Sequence, residues 1–317
     1  MDPLTAAAVP FPAWHAHVDS WALFSLILFG YWLALRRERA RRGPAGAPVA
    51  TRRQLFAFGL GVALMWVVSD WPVHDLAEGY LYSVHMAQHL TLTLVVAPLL
   101  LVGTPGWLAR RLLSPPGLLK VVRALTRPAP ALFQANLVLV LSHWPAVVEM
   151  TLLHHPLHFV AHAVLLTSAV LMWFPVLSPL PEVPRLKPPV QMLYLFLQTV
   201  VPTVPASFLT FGKKPLYPIY ETFPRLWHIS ALNDQLFAGL IMKVGAGFYL
   251  WIVIAVIFFR WYAREEATQT EFGEPAPVVA RGRGAGGEPD VLLWHDVEQE
   301  LARLGPAPAA EPQPPPP

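Results

Sequence analysis

Cysteine is absent from all 317 residues of the chain. Disulfide exchange and thiolate-based transfer of soft metal ions are therefore closed to it. Charge is scarce as well: Asp, Glu, Lys and Arg make up 14% of the sequence, against 55% hydrophobic residues. No GxSxG, phosphate-binding loop or HExxH occurs. The common hydrolase and kinase chemistries thus lack their residues, and the chain reads as a non-enzyme. There is no cleavable signal pattern either. The first apolar run has no basic stretch before it and is followed by arginines, as suits a retained span. The formal charge of +3 carries no nucleic-acid signal, because the basic residues flank apolar runs, where membrane topology explains them.

What is present is a succession of apolar runs. A bilayer crossing needs about 20 apolar residues, and seven such spans are expected: 18–35, 55–70, 82–103, 131–149, 157–177, 189–210 and 234–259. The runs are continuous rather than alternating, which argues against a closed β-barrel and for an all-α bundle of seven transmembrane helices. Orientation follows from the cations. Arg36, Arg37, Arg39, Arg41, Arg42, Arg52 and Arg53 fill the first connection, and Arg110, Arg111, Lys120, Arg123 and Arg127 the third. The second and fourth connections have none, while Lys213, Lys214 and Arg225 in the sixth dilute the pattern. The positive-inside rule places the N-terminus outside and the C-terminus in the cytoplasm. Residues 1–266 form the membrane domain in this reading. Residues 267–317 form a Pro/Gly/Ala-rich tail expected to be largely disordered, with one short amphipathic stretch ending at Gly305.

Histidine is unevenly placed. Eleven of the 12 fall outside or in the outer half of the membrane in this orientation, and only His295 is cytoplasmic. His85 and His89 stand one helical turn apart at the mouth of the third span. His158 and His162 repeat that spacing at the entry to the fifth. Positions i and i+4 share a helix face. Imidazole is costly in lipid and is a good ligand for copper, zinc, iron and nickel. Two such pairs on facing helices would surround one ion, or would serve interhelical hydrogen bonds. His143 lies at a similar depth. His154 and His155 read as solvated loop residues, and His15, His17 and His228 as singletons.

Carboxylates join this end of the bundle. Asp70 closes the second span and Asp234 opens the seventh, while Asp75 and Glu78 lie in the external connection. Asp70 and Asp234 are the expected carboxylate partners of the histidines, although Asp234 also suits a helix N-terminal turn. Met86 and Met242 read as packing. Lys243 is the odd charge, deep in an apolar run, with Gln198 on the proline-interrupted sixth span as a possible neighbour.

The segments SDWPVHDLAEGYLYSVHMAQHLTLTLVVAPLLLVGTP, LSHWPAVVE, HPLHFVAHAVLLTSAVLMWFPVLSP and NDQLFAGLIMK resemble the CtaG family of cytochrome c oxidase assembly proteins, the integral seven-helix type. The likeness covers about residues 15–262, and HMAQH is its most specific piece. The resemblance implies an assembly role for haem-copper oxidase at the cell inner membrane, with a copper ion at the outer-side histidines. It implies oxidase subunits as partners, and extracytoplasmic copper chaperones beside them. The matching site residues are His85, Met86 and His89, His158 and His162, and Asp234 with Gln235. From the residues alone, a haem-binding electron-transfer protein, a metal transporter and a metal-dependent hydrolase remain open.

Overall fold

The computed structural model describes residues 9–44, 46–273, 298–299 and 302–303. Among these there is no strand, and 78% of them are helical. Two compact units are distinguished, Met1–Phe259 and Arg260–Pro317, and the site lies in the first. The tail expected after residue 266, including His295 and the amphipathic stretch, lies almost wholly outside the described residues.

The first helix, α1, runs Val18–Arg42 and stops at Gly43, whose φ of 72° suits a residue without Cβ. Helix α2, Arg52–Val68, is opened by a capping box in which Thr51 and Gln54 satisfy each other's backbone N–H groups. A short α3, Val73–Gly79, follows α2 with a bend of 44°. Then come α4 (Tyr82–Leu90) and α5 (Ala97–Gly103), joined by a π-helical turn, Thr91–Val96. Further along lie α6 (Gly106–Leu112), α7 (Leu118–Leu125), α8 (Pro128–Ser142), α9 (Pro145–Leu153) and α10 (His155–Leu177). Helices α11 (Pro188–Val200) and α12 (Thr203–Phe211) follow, and the series ends with α13 (Ala231–Leu240), a second π-helical turn (Ile241–Gly245) and α14 (Ala246–Gly273).

Five helices are long and apolar enough to cross a membrane: Val18–Arg42, Tyr82–Gly103, His155–Leu177, Pro188–Phe211 and Ala231–Thr268. Two bent pairs, α2 with α3 and α7 with α8, raise the total to as many as seven. The expected fourth span, 131–149, is not one helix. It divides at His143, because Pro145 cannot continue the hydrogen-bond ladder of α8. The sixth divides at Pro202, where α11 ends and α12 begins, as its prolines imply. The third carries a π-helical turn that no simple pattern announces. Pro98 has no N–H to give, and just before it Ala97 N donates five residues back to Leu92 O.

Apolar contact holds the helices in three groups. Phe24, Val62 and Val96 join α1, α2 and the first π turn. Trp173, Leu195 and Ala131 centre the group around α10, α11 and α8. Met86, Leu209 and Ala238 join α4, α12 and α13. Gly103 permits a close approach of α5 to α2: a Cβ there would lie 2.5 Å from Phe58 N and 2.7 Å from Phe58 Cα. The outer faces carry exposed Phe29, Phe56, Phe133 and Phe248, the surface a lipid environment demands.

Candidate metal centre

Helix α4 begins against α13. The Asp234 carboxylate accepts the backbone N–H of Tyr82 at 2.6 Å and of Ser83 at 3.0 Å, satisfying donors that the first turn of α4 cannot use internally. His85 and His89 follow on one face, their rings 4.2 Å apart. Helix α10 opens with Pro156 in its first turn, a position where a missing N–H is harmless. It presents His158 and His162 on one face, 4.3 Å apart.

The two pairs meet. His89 Nε2 and His162 Nε2 are 3.0 Å apart. Ring centres are separated by 5.6 Å for His85 and His158, and by 4.9 Å for His89 and His162. One ligand nitrogen from each of His85, His158 and His162 lies within 4.8 Å of the others. His85 and His158 are buried. Buried polar atoms ordinarily find partners, yet His85 Nδ1, His89 Nδ1 and both ring nitrogens of His158 have no hydrogen-bond partner. The cluster therefore holds more donor and acceptor capacity than the protein consumes.

One carboxylate approaches, and it is neither of those expected. Glu78 Oε1 lies 3.0 Å from His158 Nε2 and 3.1 Å from His74 Nε2. These are ion-pair distances, although neither contact has hydrogen-bond directionality. Gln88 donates from Nε2 to Val68 O at 2.6 Å and sits 3.4 Å from His74 Nδ1. A donor facing Nδ1 makes that nitrogen the acceptor and leaves the hydrogen on Nε2, toward Glu78.

Asp70 and Asp234, the expected carboxylate partners of the histidines, make their hydrogen bonds to other groups. Asp70 accepts from Trp21 Nε1 at 2.7 Å, Trp66 Nε1 at 2.9 Å and Trp71 N at 2.8 Å, tying α1 to α2. Asp234 holds the start of α4, so its effect on His85 runs through the helix. Gln235 likewise bonds backbone, at Leu209 O and Leu216 N. Met86 and Met242 are packed in the core. His154 and His155 are exposed, and His155 reaches Asp19 at 3.5 Å. The omission of Glu78 from the expected set has a plain cause: its place as a loop residue hid that the short helix α3 brings it to His158. The spacing of His74 and Glu78, i and i+4, was the available signal.

A largely apolar cavity adjoins the cluster. His89, Thr93, His143, Gln198 and Lys243 line it, together with residues of both π-helical turns. His143 is buried and gives Nδ1 to Leu139 O at 2.7 Å, while its Nε2 has no partner. Lys243 lies 5.5 Å from the Phe211 ring centre, a cation–π contact. The loop before α13 closes this end. Tyr217 OH donates to His143 O at 2.9 Å, and burial pushes its hydroxyl up to about 12. Tyr220, raised by the same cause, contacts Ala77 O at 3.4 Å. Both phenols stay protonated donors at neutral pH.

No well-characterised protein sequence and no solved structure matches the chain. A family model does. Described as cytochrome c oxidase caa3 assembly factor, Caa3_CtaG, it matches residues 29–264 and so takes in α4, α10 and the whole four-histidine cluster. With well over half of its length matched, the chain belongs to the caa3-type cytochrome c oxidase assembly factor family.

Proposed function

We propose that the protein receives a copper ion on the His85, His89, His158 and His162 cluster and assists maturation of the copper centres of a haem-copper oxidase. The carrying observation is the set of buried imidazole nitrogens from two helices with no internal partner. Copper is cargo here, and an all-imidazole donor set suits it in the absence of thiolate. Glu78 is the carboxylate that would orient His158 and raise its basicity. In this reading seven spans cross the cell inner membrane with the N-terminus outside, so the cluster faces the compartment in which an oxidase's outer copper centre is built. Oxidase subunits and extracytoplasmic copper chaperones are the partners that fit. A haem reading is less favoured, because the four rings pack directly on one another and leave no slot for a porphyrin.

The test is metal analysis of untagged protein, joined to oxidase activity and oxidase copper content in membranes. Wild type is expected to hold copper. His85→Ala and His89→Ala, each still present in the membrane, are expected to lose that copper and lower oxidase copper loading. Normal loading and turnover with either variant would overturn the role of the cluster. Normal oxidase in a deletion strain would overturn the assembly role in this cell.

A further inference from the structure

Just before α1, the chain passes over α3. His15 Nε2 lies 3.2 Å from Asp75 Oδ1, and His17 Nε2 lies 3.1 Å from Asp75 Oδ2. The two rings are 4.4 Å apart. One ligand atom from each of the three residues lies within 4.8 Å of the others. His17 and Asp75 are largely covered, whereas the His15 side chain is 58% exposed. This is a three-ligand group with one side open to solvent. His15 and His17 precede the segment matched by the family model, and Asp75 lies within it.

From there a file of imidazoles leads inward. The His17 ring is 5.1 Å from His74, His74 is 6.0 Å from His158, and His158 is 4.3 Å from His162. Glu78 Oε1 stands at about 3 Å from both His74 and His158. No step along this file exceeds 6.0 Å, and its inner end holds nitrogens without partners. Two histidines bonded to one aspartate would pin the N-terminal segment to α3. Pinning alone gives no reason for a continuous run of ligand residues from the surface to the buried cluster.

We propose that His15, His17 and Asp75 form a second metal site, an entry port for a divalent first-row ion, and that His74 and Glu78 pass the ion inward to His158. Two imidazoles, one carboxylate and solvent make a nitrogen–oxygen donor set that suits Cu(II), and the open side lets the ion enter and leave. Binding at the port stands on its own geometry; delivery rests on the reading of the buried cluster given above.

The experiment titrates Cu(II) into full-length, untagged protein in detergent. Stoichiometry is followed by calorimetry and the copper environment by electron paramagnetic resonance. Wild type is expected to bind two ions with distinct spectra. The double substitution His15→Gln with His17→Gln is expected to remove one ion and its spectrum and to slow filling of the other site. Asp75→Asn, which keeps the shape of the side chain, is expected to weaken the port by about 10- to 100-fold. Circular dichroism checks that the helices persist in each variant. An unchanged stoichiometry in the double variant would overturn the port. Loss of one ion with an unchanged filling rate for the cluster would overturn delivery. If His85→Ala with His162→Ala leaves binding at both sites intact, the reading of the buried cluster falls while the port stands.

Discussion

Two buried polar regions lie within this bundle, and they are built on opposite plans. Between α8, α11 and α10, Asn136 donates to Gln198 Oε1 at 2.9 Å, Gln198 donates to Tyr194 OH at 3.0 Å, and Tyr194 donates to Met172 O at 2.8 Å. Each group hands its proton to the next, and the chain ends on a backbone carbonyl. Between α4 and α10, four imidazoles and Glu78 crowd together, and several of their nitrogens and one oxygen make no directed hydrogen bond within the protein. A satisfied network specifies how helices pack. An unsatisfied one costs free energy that packing does not return, and that cost makes sense where a ligand supplies the missing partner. On the proposed function, the difference separates a structural use of buried polarity from a ligand-binding one.

The sharpest way to break this comparison is to make the histidine cluster apolar. His89→Leu with His162→Leu is expected to abolish copper binding at the cluster and the oxidase copper content that depends on it. Stability should hardly fall, because replacing partly unmatched polar groups by apolar ones of similar size is nearly neutral or stabilising. Thermal unfolding in detergent is expected to shift by less than about 4 °C, the equivalent of roughly 1 kcal/mol in a protein of this size. A large loss of stability with copper binding retained would reverse the assignment.

Glu78→Gln tests the edge of the cluster. It keeps volume and one acceptor but removes the charge shared between His74 and His158. Copper affinity is expected to fall by about 10- to 100-fold, the usual cost of losing a group that orients a ligand. Equal affinity in a direct titration would exclude Glu78 from the site.

Gln198→Leu is the mirror experiment in the satisfied network. It leaves Asn136 with only Leu132 O, 2.8 Å away, and takes from Tyr194 OH its donor. The expected cost is about 1 kcal/mol, within the range for interhelical hydrogen bonds in membranes, with copper stoichiometry unchanged. Loss of copper in this variant, with the fold intact, would extend the functional region across the cavity that His89 and Gln198 both line.

How much of this was legible depended on range. The histidine pairs were readable because i, i+4 spacing on a helix is a local rule, and α4 and α10 then bring them together as facing surfaces. The division at Pro202 was local too. Long-range pairing was not readable. Gln198 and Lys243 line one cavity, as their expected proximity implies, but the Gln198 amide is taken by Tyr194 one turn away and by Asn136, 62 positions away in sequence. Glu78 read as a loop residue but lies on α3 beside His158, and the three N–H donors to Asp70 come partly from a helix 49 positions away. The π-helical turns leave no clear composition mark, although both line the cavity, as such turns often do at functional sites.

Asp234→Asn gives the smallest expected effect and the finest test of the two plans. Asp234 is 1% exposed and spends both oxygens on the first turn of α4. Its charge also faces the positive end of that helix. Asparagine keeps one acceptor and loses the other, along with the charge, so the expected loss of stability is about 0.5–1 kcal/mol. Because the carboxylate acts by holding Tyr82 and Ser83, copper stoichiometry should remain that of wild type and the affinity should change by less than the Glu78→Gln value. Calorimetric titration of the two variants side by side decides the matter. A loss of copper in Asp234→Asn equal to that in Glu78→Gln would return Asp234 to the site and erase the line drawn between groups that hold the helices and groups that await an ion.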